Sequence, residues 1–183
     1  MSRHCTALAA LIAVAATAFA GVLPARAADA LPAEGHDAPE FRLPSTAGHP
    51  VRLKDLRGRT VVLYFYPKDE TPGCTREACD FRDHTAALDS AGIVVLGVSL
   101  DDMASHQHFR EKEHLPFTLL ADVGGKVARA YGVYRGAGEG GRTSPGVERT
   151  TFVIDRRGRI ARVWPHVSVN GHVEDVLAFV REH

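Results

Sequence analysis

The sequence predicts an α/β domain in which a sheet of buried strands is sandwiched between helices. Three observations carry this reading. Two apolar runs, 61–66 (VVLYFY) and 93–100 (IVVLGVSL), are rich in β-branched residues and show no polar alternation, as expected of strands covered on both faces. Helical spacing follows each type of run: Ala78, Phe81, Leu88 and Ala91 in one stretch, and Val173, Val176, Leu177 and Val180 in the last. Strands and helices alternate along the chain, which closes on a hairpin and a helix. A length of 183 residues fits one domain at roughly 100–200 residues each.

The chain begins with Arg3 and His4, an uncharged apolar run at 7–23, then Pro24 and Ala25-Arg26-Ala27. A basic start, an apolar run and a small-x-small triplet form the pattern of a secretory signal peptide, with cleavage expected after Ala27. The alternative is a retained anchor, because the run lies at the short end of the roughly 17–25 residues that span a bilayer. Cys5 precedes the apolar run, the wrong side for lipidation. Export, to the periplasm, places the remaining two cysteines, Cys74 and Cys79, in an oxidising compartment. No membrane association is expected once the signal is removed.

Residues 28–40, rich in Ala, Pro and acids, read as a flexible lead-in to the domain at 41–183. Residues 41–53 alternate weakly around Gly48 and Pro50 and form a candidate hairpin. The strand at 61–66 closes at Pro67. A helix is expected over 74–91 and a strand over 93–100. A charged helix follows over 105–114, with Asp101 or Asp102 as its cap. A strand at 117–121 and a short helix at 126–131 come next, with Asp122 capping the turn between them. Strands at 150–154 and 160–164 flank Asp155-Arg156-Arg157-Gly158, a hairpin signal. The Gly-rich stretch 136–146 does not open a helix after a strand, so a mobile loop is expected rather than a phosphate cradle. Trp164 and Tyr131 are expected to pack in the core.

Lys plus Arg and Asp plus Glu both number 22, so no global field steers the chain toward nucleic acid or an anionic membrane. Chemistry concentrates in the segment YFYPKDETPGCTREAC, residues 64–79. There a strand ends at Pro67, a turn follows, and a helix begins near Cys74. A cysteine at a helix start meets free N–H groups and the positive end of the macrodipole, which favour thiolate over thiol. A thiolate can attack one oxygen of a peroxide and become a sulfenic acid, and nearby donors must then stabilise the departing oxygen. Thr71, three residues before Cys74, can donate to the thiolate or hold a peroxide oxygen. Arg149 precedes the strand at 150–154 and is the candidate guanidinium. Glu77, one turn after Cys74, can orient it through a carboxylate pair.

Pro67-x-x-x-Thr71-x-x-Cys74, with Arg149 in Glu-Arg-Thr-Thr-Phe, resembles the active-site set of the peroxiredoxins. The wording YFYPKDETPGCTREACDFRD, with a second cysteine five residues after the first, resembles the bacterioferritin comigratory protein (Q-type) branch. The tail from Val169 to Leu177 (VNGHVEDVL) fits it as well. The resemblance spans roughly residues 34–182 and implies a thioredoxin-like fold with a central mixed sheet flanked by helices. It implies that Cys74 is the peroxidatic cysteine, that Cys79 resolves it as a Cys74–Cys79 disulfide, that Pro67 shields the sulfur, and that Thr71 and Arg149 bind peroxide. It also implies a hydroperoxide substrate, hydrogen peroxide or an organic one, and re-reduction by a thioredoxin-like thiol donor, with no cofactor or metal. Where that branch carries a basic, aromatic segment before the catalytic arginine, this chain has the Gly-rich loop.

Two cysteines five residues apart on a regular helix stand roughly 8–9 Å apart at Cα, beyond the ~7 Å limit for a disulfide. Bridging therefore requires the start of the helix to unwind. The other reading of Cys79 is a small buried hydrophobe. A thioredoxin-type oxidoreductase would need two residues between its cysteines, where this chain has four. A copper chaperone would need a closer pair and a distal ligand such as His166 or His172, and would leave Thr71 and Arg149 without a role. His106, His108 and His114 are expected on the solvated face of their helix, not as metal ligands. A monomer is expected, because both cysteines lie in one helix.

Overall fold

A five-stranded sheet divides the core into two apolar clusters. The structure, a computed structural model, describes residues 30–141 and 143–183; the expected signal peptide at 1–27 lies outside them. In chain order the strands and helices are β1 (Arg42–Leu43), β2 (Val51–Arg52), β3 (Thr60–Phe65), α1 (Pro72–Asp83), α2 (Thr85–Ser90), β4 (Ile93–Ser99), α3 (Met103–Lys112), β5 (Thr118–Ala121), α4 (Lys126–Ala130), β6 (Tyr134–Arg135), β7 (Gly146–Val147), β8 (Thr150–Ile154), β9 (Ile160–Trp164) and α5 (His172–Glu182).

The sheet order is β5-β4-β3-β8-β9. β3 pairs in parallel with β4, and β4 with β5, whereas β3/β8 and β8/β9 are antiparallel. The sheet is therefore mixed and the fold thioredoxin-like, as the sequence predicts. Along β3, Val61, Leu63 and Phe65 enter one cluster with Phe41, Val127 and Tyr131. Val62, Tyr64 and Tyr66 enter the other, with residues of α1, α3 and α5. This two-sided burial is why the run 61–66 carries no polar alternation.

Several elements differ from the sequence expectation. The helix expected over 74–91 is two helices separated at His84. There the His84 ring meets the Asp80 carbonyl at 2.8 Å and Thr85 Oγ1 donates to the Phe81 carbonyl at 3.2 Å. Such side-chain bonds to the preceding turn compete with the helical ladder. α3 ends at Lys112, and His114 lies beyond it in the left-handed region (φ 54°). Residues 35–38, expected within a flexible lead-in, are bonded to the β8–β9 hairpin: Gly35 N donates to Ile160 O and Ala38 N to Gly158 O. The Gly-rich stretch connects β6 to β7, a two-residue ladder with no signal in the sequence.

Other local expectations match. Asp102 caps α3 by accepting from Ser105 N at 2.9 Å, and Asp122 accepts from Val127 N and Ala128 N at the start of α4. Residues 41–53 contain the β1–β2 hairpin. Tyr131 is fully buried and donates to the Pro39 carbonyl, whereas Trp164 is half-buried and packs edge-on against His172 and Phe179.

Candidate active site

The backbone of β3 delivers the turn that carries the reactive residues. Tyr66 N still donates to Val98 O, but Pro67 has no N–H and the ladder stops there. Asp69 N then turns onto Asp101 Oδ2 at 2.9 Å. Glu70 occupies the left-handed region (φ 58°), a conformation that costs a non-glycine residue about 1–2 kcal/mol. Lys112 Nζ holds the Glu70 carboxylate at 2.6 Å. Thr71 is extended and caps α1, with Pro72 preset in the first turn and Thr75 N donating to Thr71 O.

This start places Cys74 in the first turn of α1, 1% exposed and packed into the second core cluster. Arg149 lies 75 residues away in sequence and immediately before β8. The register Phe65↔Thr150 sets the beginning of β8 beside the end of β3, which brings Arg149 to the turn. Arg149 Nη2 donates to Cys74 Sγ at 3.2 Å, and Nη1 donates to Glu77 Oε2. One guanidinium thus binds the sulfur and a carboxylate one helical turn apart. Four of the expected residues, Cys74, Glu77, Arg149 and the capping Thr71, converge here, and half-buried Pro67 closes the strand before them.

The electrostatics follow from burial. The Glu77 side chain is 1% exposed, and Oε1 has no hydrogen-bond partner. Burial pushes its carboxyl up to about 7, against the opposing pull of Arg149. Burial works against the Arg149 charge, but Glu77 and the Cys74 sulfur outweigh it and hold the guanidinium charged. A fixed positive charge with an N–H aimed at sulfur stabilises negative charge there. Thr71 differs from expectation in one respect: its hydroxyl donates to Lys68 O at 3.0 Å, not to the sulfur. That leaves its oxygen lone pairs available as acceptors.

Cys79 lies further along the same continuous helix, half-buried, and both thiols are free. Its Sγ donates to Glu113 Oε2 at 3.7 Å. Glu113 has no role in the sequence reading, which expects His106 on a solvated face. His106 is instead fully buried: Nδ1 stands 2.8 Å from Asp69 Oδ2, and Nε2 donates to Leu120 O at 3.1 Å. Tyr66 and Ser105 hydroxyls also donate to Asp69. Burial pushes the Asp69 carboxyl up, but these bonds outweigh it and hold it below the usual carboxylate range. The network fixes the turn between Pro67 and Thr71. Phe109, three residues after His106 and therefore on the same helix face, was the signal that this face points inward.

His172 is also buried, bonded through Nε2 to Thr151 Oγ1 at 2.8 Å, and burial lowers it to about 4, so it packs as a neutral ring behind α1. Among the described residues no group of three or more His, Cys, Asp or Glu is placed to hold a metal ion. A hollow of about 620 Å³, lined by Phe41, Arg42, Leu43 and Lys126, lies on the sheet face opposite Cys74. It holds none of the groups above, so chemistry rather than cavity size locates the site.

Residues 35–163 match the AhpC/TSA family. A putative peroxiredoxin Bcp of Coxiella burnetii is 52% identical over 143 residues, covering 78% of this chain and 95% of that protein. The peroxiredoxin Bcp of Bacillus subtilis is 43% identical over 148 residues, covering 81% of this chain and 94% of its own. Among solved structures, a bacterioferritin comigratory protein of Xanthomonas campestris, studied for alkyl peroxide reduction through trapped intermediate and ligand complexes, superposes with a TM-score of 0.73 at 36% identity. That match covers 78% of this chain and 91% of the other. With a cysteine at a helix start under an arginine that also holds a buried glutamate, the chain belongs to the AhpC/TSA family, among its peroxiredoxin Bcp/Q members, an enzyme family of thiol peroxidases.

Proposed function

We propose that the chain reduces hydrogen peroxide and organic hydroperoxides at Cys74. The observation that carries this reading is the Arg149 guanidinium, 3.2 Å from the sulfur and braced by Glu77. In the first step the Cys74 thiolate attacks one peroxide oxygen. The O–O bond breaks, the sulfur is oxidised to sulfenic acid, and the departing oxygen takes a proton and leaves as water or an alcohol. Arg149 offsets the negative charge that grows on the departing oxygen, and Thr71 Oγ1 accepts from the peroxide O–H. The work on the Xanthomonas relative supports alkyl hydroperoxides as a substrate class.

In the second step the Cys79 sulfur attacks the sulfenic sulfur, the S–O bond breaks, and water leaves as the Cys74–Cys79 disulfide forms. A regular α1 holds the two Cα atoms roughly 8–9 Å apart, so the first turns of the helix must unwind before the bond can close. A dithiol donor of thioredoxin type then reduces the disulfide. The protein works as a monomer, since the cycle needs no second chain. Residues 1–27 direct export to the periplasm and are removed after Ala27, which places the donor in that compartment.

The test is peroxide consumption by the purified protein with dithiothreitol or thioredoxin as donor, using hydrogen peroxide and cumene hydroperoxide. Cys74→Ser should abolish turnover of both. One equivalent of peroxide should convert the parent to a species with no free thiol at Cys74 or Cys79. Undiminished turnover in the Cys74→Ser protein would sink the reading.

A further inference from the structure

Two residues of α1 one turn apart, Cys79 and Arg82, end on a single residue of another element. Cys79 Sγ donates to Glu113 Oε2 at 3.7 Å, and Arg82 Nη1 donates to the Glu113 backbone oxygen at 2.8 Å. Glu113 is the C-cap of α3, so its backbone is fixed by that helix. The same helix grips the chain on the other side of Cys74, where Ser105 and His106 hold Asp69 and Lys112 holds Glu70. Residues 69–82 are thus fastened to α3 at both ends, with Cys74 between the fastenings.

The proposed second step requires Cys79 to leave this position. While α1 stays folded, Cys79 is half-buried with a carboxylate at its sulfur, and it serves that carboxylate as an S–H donor. The charged groups acting on it are Arg82 and Asp83 of its own helix and Glu113 at the end of α3. Burial and Glu113 push the thiol up, and Arg82 opposes them. A protonated thiol is a poor nucleophile toward a sulfenic acid.

We infer that Glu113 is a positioning residue for the resolving cysteine: it holds Cys79 on α3 as a thiol in reserve and thereby sets the rate of disulfide formation. This rests on the Cys74–Cys79 cycle proposed above and deepens it. The overall step stays balanced without further reactants: Cys74–SOH and Cys79–SH give the disulfide and water. Holding Cys79 back lengthens the life of the sulfenic acid, which a second peroxide can carry to sulfinic acid.

The experiment is rapid quench of the full chain with a thiol-blocking reagent, which times sulfenic acid and disulfide formation separately in the parent, Glu113→Ala, Glu113→Gln and Glu113→Asp. In the Ala and Gln proteins the peroxide-independent second phase should be roughly 3- to 10-fold faster near neutral pH, the size expected when a carboxylate stops opposing ionisation of a neighbouring thiol. Its pH profile should move to lower pH in both, and the yield of sulfinic acid at high peroxide should fall. Glu113→Asp, which keeps the carboxylate, should restore much of the parent behaviour. A second phase unchanged or slowed in Ala and Gln overturns the inference. Acceleration with an unmoved pH profile also overturns it, because Glu113 would then be only a mechanical tether. If the parent itself forms no Cys74–Cys79 disulfide, the cycle fails rather than the role of Glu113 within it.

Discussion

At the scale of single residues, the site rests on one buried carboxyl with half its hydrogen bonds. Glu77 gives Oε2 to Arg149 and leaves Oε1 without a partner. Burial places its titration at about 7 in the folded protein, whereas a free glutamate titrates near ~4.3. Between those values the folded state binds more protons than the unfolded state. The contribution of Glu77 to stability is therefore complete below the unfolded value and is lost as pH rises through about 7. Glu77→Gln removes this dependence. In urea unfolding between about pH 4.5 and 8, the stability of the parent relative to the Gln variant should fall by about 3 kcal/mol. His172, lowered to about 4, contributes a slope common to both proteins and cancels in the difference. Parallel curves would show that Glu77 stays charged through the whole range.

At the scale of elements, β4 seats the catalytic helix through a glycine. Gly97 stands opposite Tyr64 on β3 and Leu119 on β5. A Cβ there would come within 2.7 Å of the Tyr64 Cζ and hydroxyl and 2.8 Å of Leu119. The Tyr64 ring in turn stacks on Phe81 of α1 at 4.8 Å between centroids. Gly97→Ala must displace the ring or the strand, and overpacking of this kind costs about 1–3 kcal/mol. A thermal or urea melt checks the loss; a variant as stable as the parent would show that Tyr64 can move freely. The sequence reads Gly97 only as part of an apolar run, because its partners come from two other strands.

At the scale of the whole molecule, the reactive centre is a product of strand order. The sheet places β8 next to β3 although 84 intervening residues, Tyr66 to Arg149, separate them along the chain. Only this adjacency brings Arg149 to Cys74. Arg149→Ala should slow the oxidation of Cys74 by ~10²-fold or more, the loss typical of one preorganised donor. Stopped-flow measurement of the peroxide-dependent phase checks this, and a rate close to the parent's would remove Arg149 from the site. The sequence by itself determined the local terms: buried strands from unbroken apolar runs, the α5 stripe, a cap at Asp101 or Asp102 and another at Asp122, and Cys74 at a helix start behind Pro67, Thr71 and Pro72. Each of those follows from residues within a few positions of one another. The division of the expected helix at His84 and the Thr71 bond to Lys68 O rest on local side-chain bonds that apolar periodicity does not record. Tertiary structure alone decided that His106 faces inward against Asp69. It also decided that the second cysteine rests on Glu113. These last two depend on which distant backbone or side chain fills the space beside a residue, and periodicity along one chain carries no record of that.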